Sequence, residues 1–199
     1  MSLLRLLTWA SPAFPTGGYA YSHGLEWAVE AGDVANEAQA LDWIGAVLTD
    51  GAGRQDARLM RRAYAGEDMA ELAAATALSA ERRAETLGQG AAFALAGAVW
   101  GAVDGAAYPV AWGRLARQQH VPVDDAVVAM LHALAANLVS AAVRLVPLGQ
   151  TAGLRILAAL EPAIDAIAHD PDPELGGACF RSDIAAMRHE TQHTRLFRS

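Results

Sequence analysis

The chain is predicted to fold as an all-α, single-domain bundle of about eight to ten helices, with an ordered N-terminal loop and an amphipathic C-terminal tail. Three observations predict it. Alanine dominates an apolar share of 53% while strand-favouring β-branched and aromatic residues are few, which favours helix throughout. Apolar residues recur at one-face helical spacing, and capping or breaking residues separate the runs. The length of 199 residues suits one domain, residues 1–199, that buries well over half of its unfolded surface without a disulfide or metal staple.

Residues 9–26 come first and are the exception to helix. Pro12 and Pro15 lack an N–H and fix φ, and Gly17 and Gly18 permit backbone angles that other residues avoid. Trp9, Phe14, Tyr19 and Tyr21 alternate with these breakers, so the loop is expected to pack on the body as an ordered element. Ser22 then opens a helix that Gly32 ends, and Asn36 caps a second whose Leu41, Ile44 and Leu48 share a face up to Asp50. A third carries Leu59, Met60 and Tyr64 and stops at Gly66. Asp68 with Glu71, and Ser79 with Glu81, mark two further starts, the second opening a long run that ends near Gly101. Pro109 suits a first helical turn leading to Gln119, and Pro122 with Asp124 and Asp125 starts a long central helix through Val146. Pro147 and Pro162 are expected to divide the remaining apolar pattern into short segments. The charged, proline-rich residues 170–182 read as a loop, and residues 183–199 as a separate terminal segment.

Composition excludes several functions. Every one of the 15 basic residues is arginine, so neither a Walker A loop nor a Schiff-base lysine can exist. A net charge of −7 opposes binding to nucleic acid, whose phosphates call for basic groups. The single Cys179 cannot form an intrachain disulfide, which fits a reducing, cytoplasmic setting. Arg5 and Pro12 interrupt the apolar N-terminus, so no signal peptide is assigned. Residues 86–103 and 126–143 are uncharged and reach about the shortest length that spans a bilayer, yet their alanines, glycines and scattered polar groups read as buried bundle helices, not membrane spans. Neither run has a broad polar face, so one of them is expected at a contact between two copies of the chain, as a homodimer.

Two constellations remain. His189-Glu190-Thr191-Gln192-His193 matches H-E-x-x-H, which on a helix would bring two imidazoles to one zinc ion. A zinc metallopeptidase is therefore one alternative, although only six residues follow His193 and a third protein ligand would have to come from upstream. The other is charge. Residues 181–199 hold four arginines against Asp183 and Glu190, or +2, leaving −9 for the rest. Arg181, Arg188 and Arg195 recur every seven residues, a near-straight line on a helix, with Arg198 beyond and Phe180, Ile184 and Met187 opposite. Such a basic amphipathic end either folds back on its own acidic body or offers guanidinium forks to a partner.

Three stretches carry a resemblance to a known family. Ser11-Pro12-Ala13-Phe14-Pro15-Thr16-Gly17-Gly18-Tyr19 with Ser22-His23-Gly24-Leu25-Glu26, then residues 137–151, then residues 182–192, closely resemble in order the motifs of the urease accessory protein F (UreF) family. The resemblance implies a nickel-insertion chaperone with no catalytic centre, metal site or cofactor of its own. It implies binding to UreD (also called UreH) and recruitment of the GTPase UreG to apo-urease. It also implies that the C-terminal segment orders on UreD, which makes Arg188, Arg195 and Arg198, with Phe180, Ile184 and Met187, the partner-binding candidates. His23 and Glu26 are candidates for a polar passage or partner contact, as is Arg144, which stands where the family often has lysine. In that family the second histidine of the H-E-x-x-H stretch is often aromatic. A third reading, a helical protein that binds a small ligand in its apolar interior, also stays open.

Overall fold

A long apolar helix organises the molecule because it is flanked on nearly every side. In the structure, a computed structural model, residues 2–170 and 174–198 are described. Helices run α1 Ser2–Trp9, α2 Leu25–Glu30, α3 Glu37–Thr49, α4 Ala52–Ala65, α5 Ala70–Ala75, α6 Ala80–Gly97, α7 Tyr108–Gln118, α8 Val123–Leu145, α9 Gln150–Ala168 and α10 Phe180–His189, with a single 3-10 turn at Gly18–Ala20 and no strand among the described residues. Helix α8 touches α1, α2, α3, α4, α7 and α9 as well as the 3-10 turn. It is long and apolar enough to cross a bilayer by length and composition. Here its Leu131, Leu138, Ala141 and Ala142 are fully buried at the centre of the core.

The helix starts follow local chemistry. Asn36 Oδ1 accepts from Gln39 N at 3.0 Å and Ser79 Oγ from Arg82 N at 3.0 Å, each satisfying an amide that the first turn leaves without an intrahelical partner. Pro109 sits in the first turn of α7, where its missing N–H costs nothing. Two starts differ from expectation. Ser22 Oγ does accept from Glu26 N, at 3.3 Å, but α2 begins only at Leu25. Residues 2–9, apolar with one arginine, form a short amphipathic helix that turns Leu6 and Trp9 inward and leaves Leu3, Leu4 and Leu7 exposed.

Pro162 does not divide α9, which runs through it for 19 residues. An interior proline costs about 3 kcal/mol by removing one hydrogen bond and crowding the previous turn. Burial of Ile156, Leu160, Ile164 and Ile167 along one stripe, against α3 and α8, offsets that loss. The loop expected over 170–182 stops at Cys179, because α10 already starts at Phe180, and its residues 171–173 lie outside the described residues.

The N-terminal loop is pinned by its rings. Trp9 meets Phe93, Trp100 and Trp112 edge-on at 6.2, 5.9 and 5.6 Å, and Phe14 lies 5.4 Å from Phe93. Phe93 stacks on Trp112 at 4.9 Å. Aromatic contacts of this kind add to the apolar area each ring buries, so Trp9 and Phe14 pack the loop against the body. Gly18 lies so close to α8 that a Cβ there would meet Asn137 Nδ2 at 2.6 Å. Tyr19 points outward.

Candidate functional site

Helix α10 packs on α2 and α6, and the contact depends on glycine. Gly24 takes φ +75°, and a Cβ on it would stand 2.7 Å from Ala186 N, inside α10. His23 before it also sits in the left-handed region, at φ +52°, an uncommon place for a non-glycine residue. These two residues turn the chain so that His23 and Glu26 both point inward, where each is about 6% exposed.

Glu26 organises the C-terminus. Its Oε1 accepts from Leu196 N at 2.7 Å, and its Oε2 accepts from Phe197 N at 2.9 Å. His189 Nε2 lies 3.0 Å from Glu26 Oε2 and its Nδ1 2.8 Å from Glu81 Oε2, with the imidazole fully buried. Each ring nitrogen thus has a carboxylate oxygen within hydrogen-bond distance. Arg195 completes the chain of charges on Glu81 Oε1 at 3.0 Å. The tail is held further by Arg198 N on Ala20 O at 2.7 Å and by Gln192 on Glu30. Arg144 donates from Nη2 to Tyr19 O at 3.0 Å and holds its guanidinium 4.5 Å above the Phe197 ring, joining the N-terminal loop, α8 and the tail.

This arrangement changes how the H-E-x-x-H string is understood. Helix α10 ends at His189, so His193 is not one helical turn away on the same face but lies exposed in the tail. Both ring nitrogens of His189 face carboxylates, and Glu190 Oε1 accepts from Ala80 N at the start of α6 at 2.9 Å. Among the described residues no group of three His, Cys, Asp or Glu side chains is placed to hold a metal ion. The expected line of arginines is also broken, because Thr191 N and Gln192 N turn back to the carbonyls of Arg188 and His189 and the chain leaves the helix. Further along the tail Glu26 accepts from the amides of Leu196 and Phe197.

The outer face of α10 carries the remaining candidates. Phe180 is 75% exposed, Ile184 and Met187 about half, and Leu196 of the tail joins them. Arg181 bonds Asp42 at 3.0 Å and lies over the Trp43 ring, and Arg188 lies 5.3 Å over Trp27. Arg198 presents its side chain at the surface.

A second polar cluster lies behind the first. His23 Nε2 meets Glu85 Oε1 at 3.0 Å, Gln89 donates to the same oxygen at 2.8 Å, and Arg82 links Glu85 to Asp56. Burial pushes the Glu85 carboxyl up, but His23 and Arg82 outweigh it and hold the group below its ordinary range. Burial raises Asp56, which Arg82 offsets only in part. The Arg82 guanidinium, despite its burial, is held above its usual range by Asp56 and Glu85. Tyr108, nearby on α7, is pushed up to about 12, chiefly by burial.

His23, Glu26 and Arg144 were singled out by the sequence; Glu85, which His23 meets, Glu81, which His189 and Arg195 meet, and the Arg82–Asp56 pair behind them were not. One signal was present: His23 and Glu26 are three apart, Glu81 and Glu85 four apart, so each pair can line one side of its element.

The buried imidazole and carboxylates that fasten the protein's own terminus, beside an exposed apolar and arginine-bearing helix face, define an all-α protein with a self-docked tail. Comparison with known sequences makes this specific. The UreF family model matches residues 34–161. Urease accessory protein UreF of Rhodopseudomonas palustris strain HaA2 is 52% identical, covering all of this chain and 94% of its own. That of Cereibacter sphaeroides strain KD131 is also 52% identical, covering all of this chain and 99% of its own, and that of Bradyrhizobium sp. strain ORS 278 is 46% identical. The chain belongs to the UreF family of urease accessory proteins.

Proposed function

We propose that the chain acts as a cytoplasmic nickel-insertion chaperone that binds UreD through the outer face of α10 and the docked tail, and that the resulting complex recruits UreG to apo-urease. The observation that carries this reading is the exposure of Phe180, Ile184, Met187 and Leu196 next to Arg181, Arg188, Arg195 and Arg198. An apolar centre with an arginine rim is the anatomy of a protein interface. Glu26 and Arg144 take the contact role in this reading, since they hold the tail in place, and His23 with its Glu85 partner is proposed for a polar passage. The chain performs no chemistry of its own, and nickel is cargo. Of the two apolar runs, 86–103 is the one proposed to meet a second copy of the chain, because Leu95 on α6 is exposed while α8 is central to the core.

Co-purification tests the proposal. UreD is expected to remain with the full chain and UreG to join only when UreD is present. Replacing Phe180, Ile184 and Met187 together by serine is expected to weaken UreD binding at least about tenfold, since the centre of an interface carries most of its affinity. Undiminished UreD capture by that variant would refute the assignment of the α10 face.

A further inference from the structure

A cavity of about 300 Å³ is lined by residues of α4, α6 and α10 and of the segments that join them, both apolar and acidic. Leu59, Leu78 and Leu175 are part of its apolar lining, and Asp56, Glu85 and Asp183 bring carboxylates to it. A volume of this size falls at the lower end for small-molecule sites.

The hydrogen-bond donors around it are already engaged. Arg82 is bound to Asp56 and Glu85, Gln55 Nε2 donates to Thr76 Oγ1, and Ser182 Oγ donates to Cys179 O. Acceptor capacity is left over. Glu85 is only 3% exposed, and its Oε2 is met by the Arg82 Nη1 ion pair at 3.3 Å. Asp183 Oδ2 is buried with no hydrogen-bond partner among the described residues. A buried carboxylate oxygen without a donor is costly, and a ligand that supplies the donor recovers that cost.

Formal charge points the same way. Three carboxylates face one guanidinium and the His23 ring, so the cavity favours a cation. Burial raises both Asp56 and Asp183, and a positive charge entering the cavity would relieve both. A metal ion fits poorly, since the leucine wall supplies no ligands and no group of three ligating side chains is placed for one among the described residues.

We propose that this cavity binds a small organic cation, an alkylguanidinium or alkylammonium, with its head on Glu85 and Asp183 and its alkyl stem along Leu59, Leu78 and Leu175. The head is donor-only and charged, which matches what the polar end lacks, and the stem covers apolar wall that water solvates poorly.

Calorimetric titration of the full chain with n-butylguanidinium tests this. Saturable binding of one molecule per chain is expected, with an Asp183→Asn variant weakened about tenfold and the uncharged analogue N-butylurea at least as much. Because Asp183 has one oxygen without a partner, that variant is expected to keep wild-type helix content. Amide shifts of Asp183 and Ala186 in the unmodified protein on adding n-butylguanidinium provide a second readout that needs no variant. No saturable heat and no shift up to roughly 10 mM would overturn the proposal. So would equal binding of N-butylurea, or displacement of n-butylguanidinium by stoichiometric Ni²⁺, which would make the cavity a metal site.

Discussion

Replacing Glu26 by alanine should release the C-terminal tail while leaving the bundle folded. Glu26 accepts from Leu196 N at 2.7 Å, Phe197 N at 2.9 Å and His189 Nε2 at 3.0 Å, all at a side chain that is nearly buried. Hydrogen bonds to a charged group net about 1.5–3 kcal/mol each, but three on one carboxylate do not add independently. Leaving a buried partner unsatisfied costs about 1–3 kcal/mol, and with three partners sharing one carboxylate a total of about 3–4 kcal/mol follows. Taking about 3–4 kcal/mol, the open population of the tail should rise by a factor of roughly 10² to 10³. Amide hydrogen exchange reads this directly. The amides of Leu196, Phe197 and Arg198, each hydrogen-bonded in the docked tail, should exchange about 100-fold faster or more, while Leu131 and Leu138 in α8 change far less. Wild-type exchange at Leu196 and Phe197 in the variant would refute the idea that Glu26 fastens the tail.

The histidines should separate cleanly. His189→Ala leaves Glu26 and Glu81 facing a void and should lower the melting temperature by several degrees, whereas His193→Ala, at an exposed position, should leave it unchanged in calorimetry. Glu85 has its folded pKa held below the ordinary 4.5, so its contribution to stability is present above that value and is lost as pH falls through the lower folded value. The stability gap between wild type and Glu85→Gln in urea titrations should therefore be largest near neutral pH and shrink under acid. Tyr108 is raised to about 12, so the contribution of its neutral phenol is intact below the ordinary 10 and is lost as pH rises from there through the folded value. Absorbance titration of Tyr108→Phe against wild type should remove one phenol that ionises near pH 12. Ser79→Ala, which deletes the cap on α6, should cost about 1 kcal/mol in chemical denaturation.

Local chemistry made much of the fold legible. Asn36, Ser79 and Pro109 announce helix starts because a cap or a missing N–H acts within one turn. Trp9 and Phe14 signal an ordered loop because rings that size seek burial. Pro162 misled because its effect was decided by the packing of residues six before and five after it on neighbouring helices, which no local pattern reports. The site was legible in its parts and not in its pairing. Glu26 and His189 stand 163 residues apart, and nothing in either neighbourhood says that one accepts from the other. The seven-residue spacing of Arg181, Arg188 and Arg195 implied a continuing helix, but the helix stops at His189, where Thr191 N and Gln192 N turn back, and the tail beyond is fastened by Glu26 through the amides of Leu196 and Phe197. The H-E-x-x-H string failed as a zinc motif for the same reason, since its second histidine lies past the last turn.

Hydrogen exchange of the full chain, alone and bound to UreD, tests the central claim most directly. Added protection confined to residues 180–198, strongest around Phe180, Ile184, Met187 and Leu196, is the predicted result. Protection that falls elsewhere on the bundle while those residues exchange as in the free chain would contradict the account.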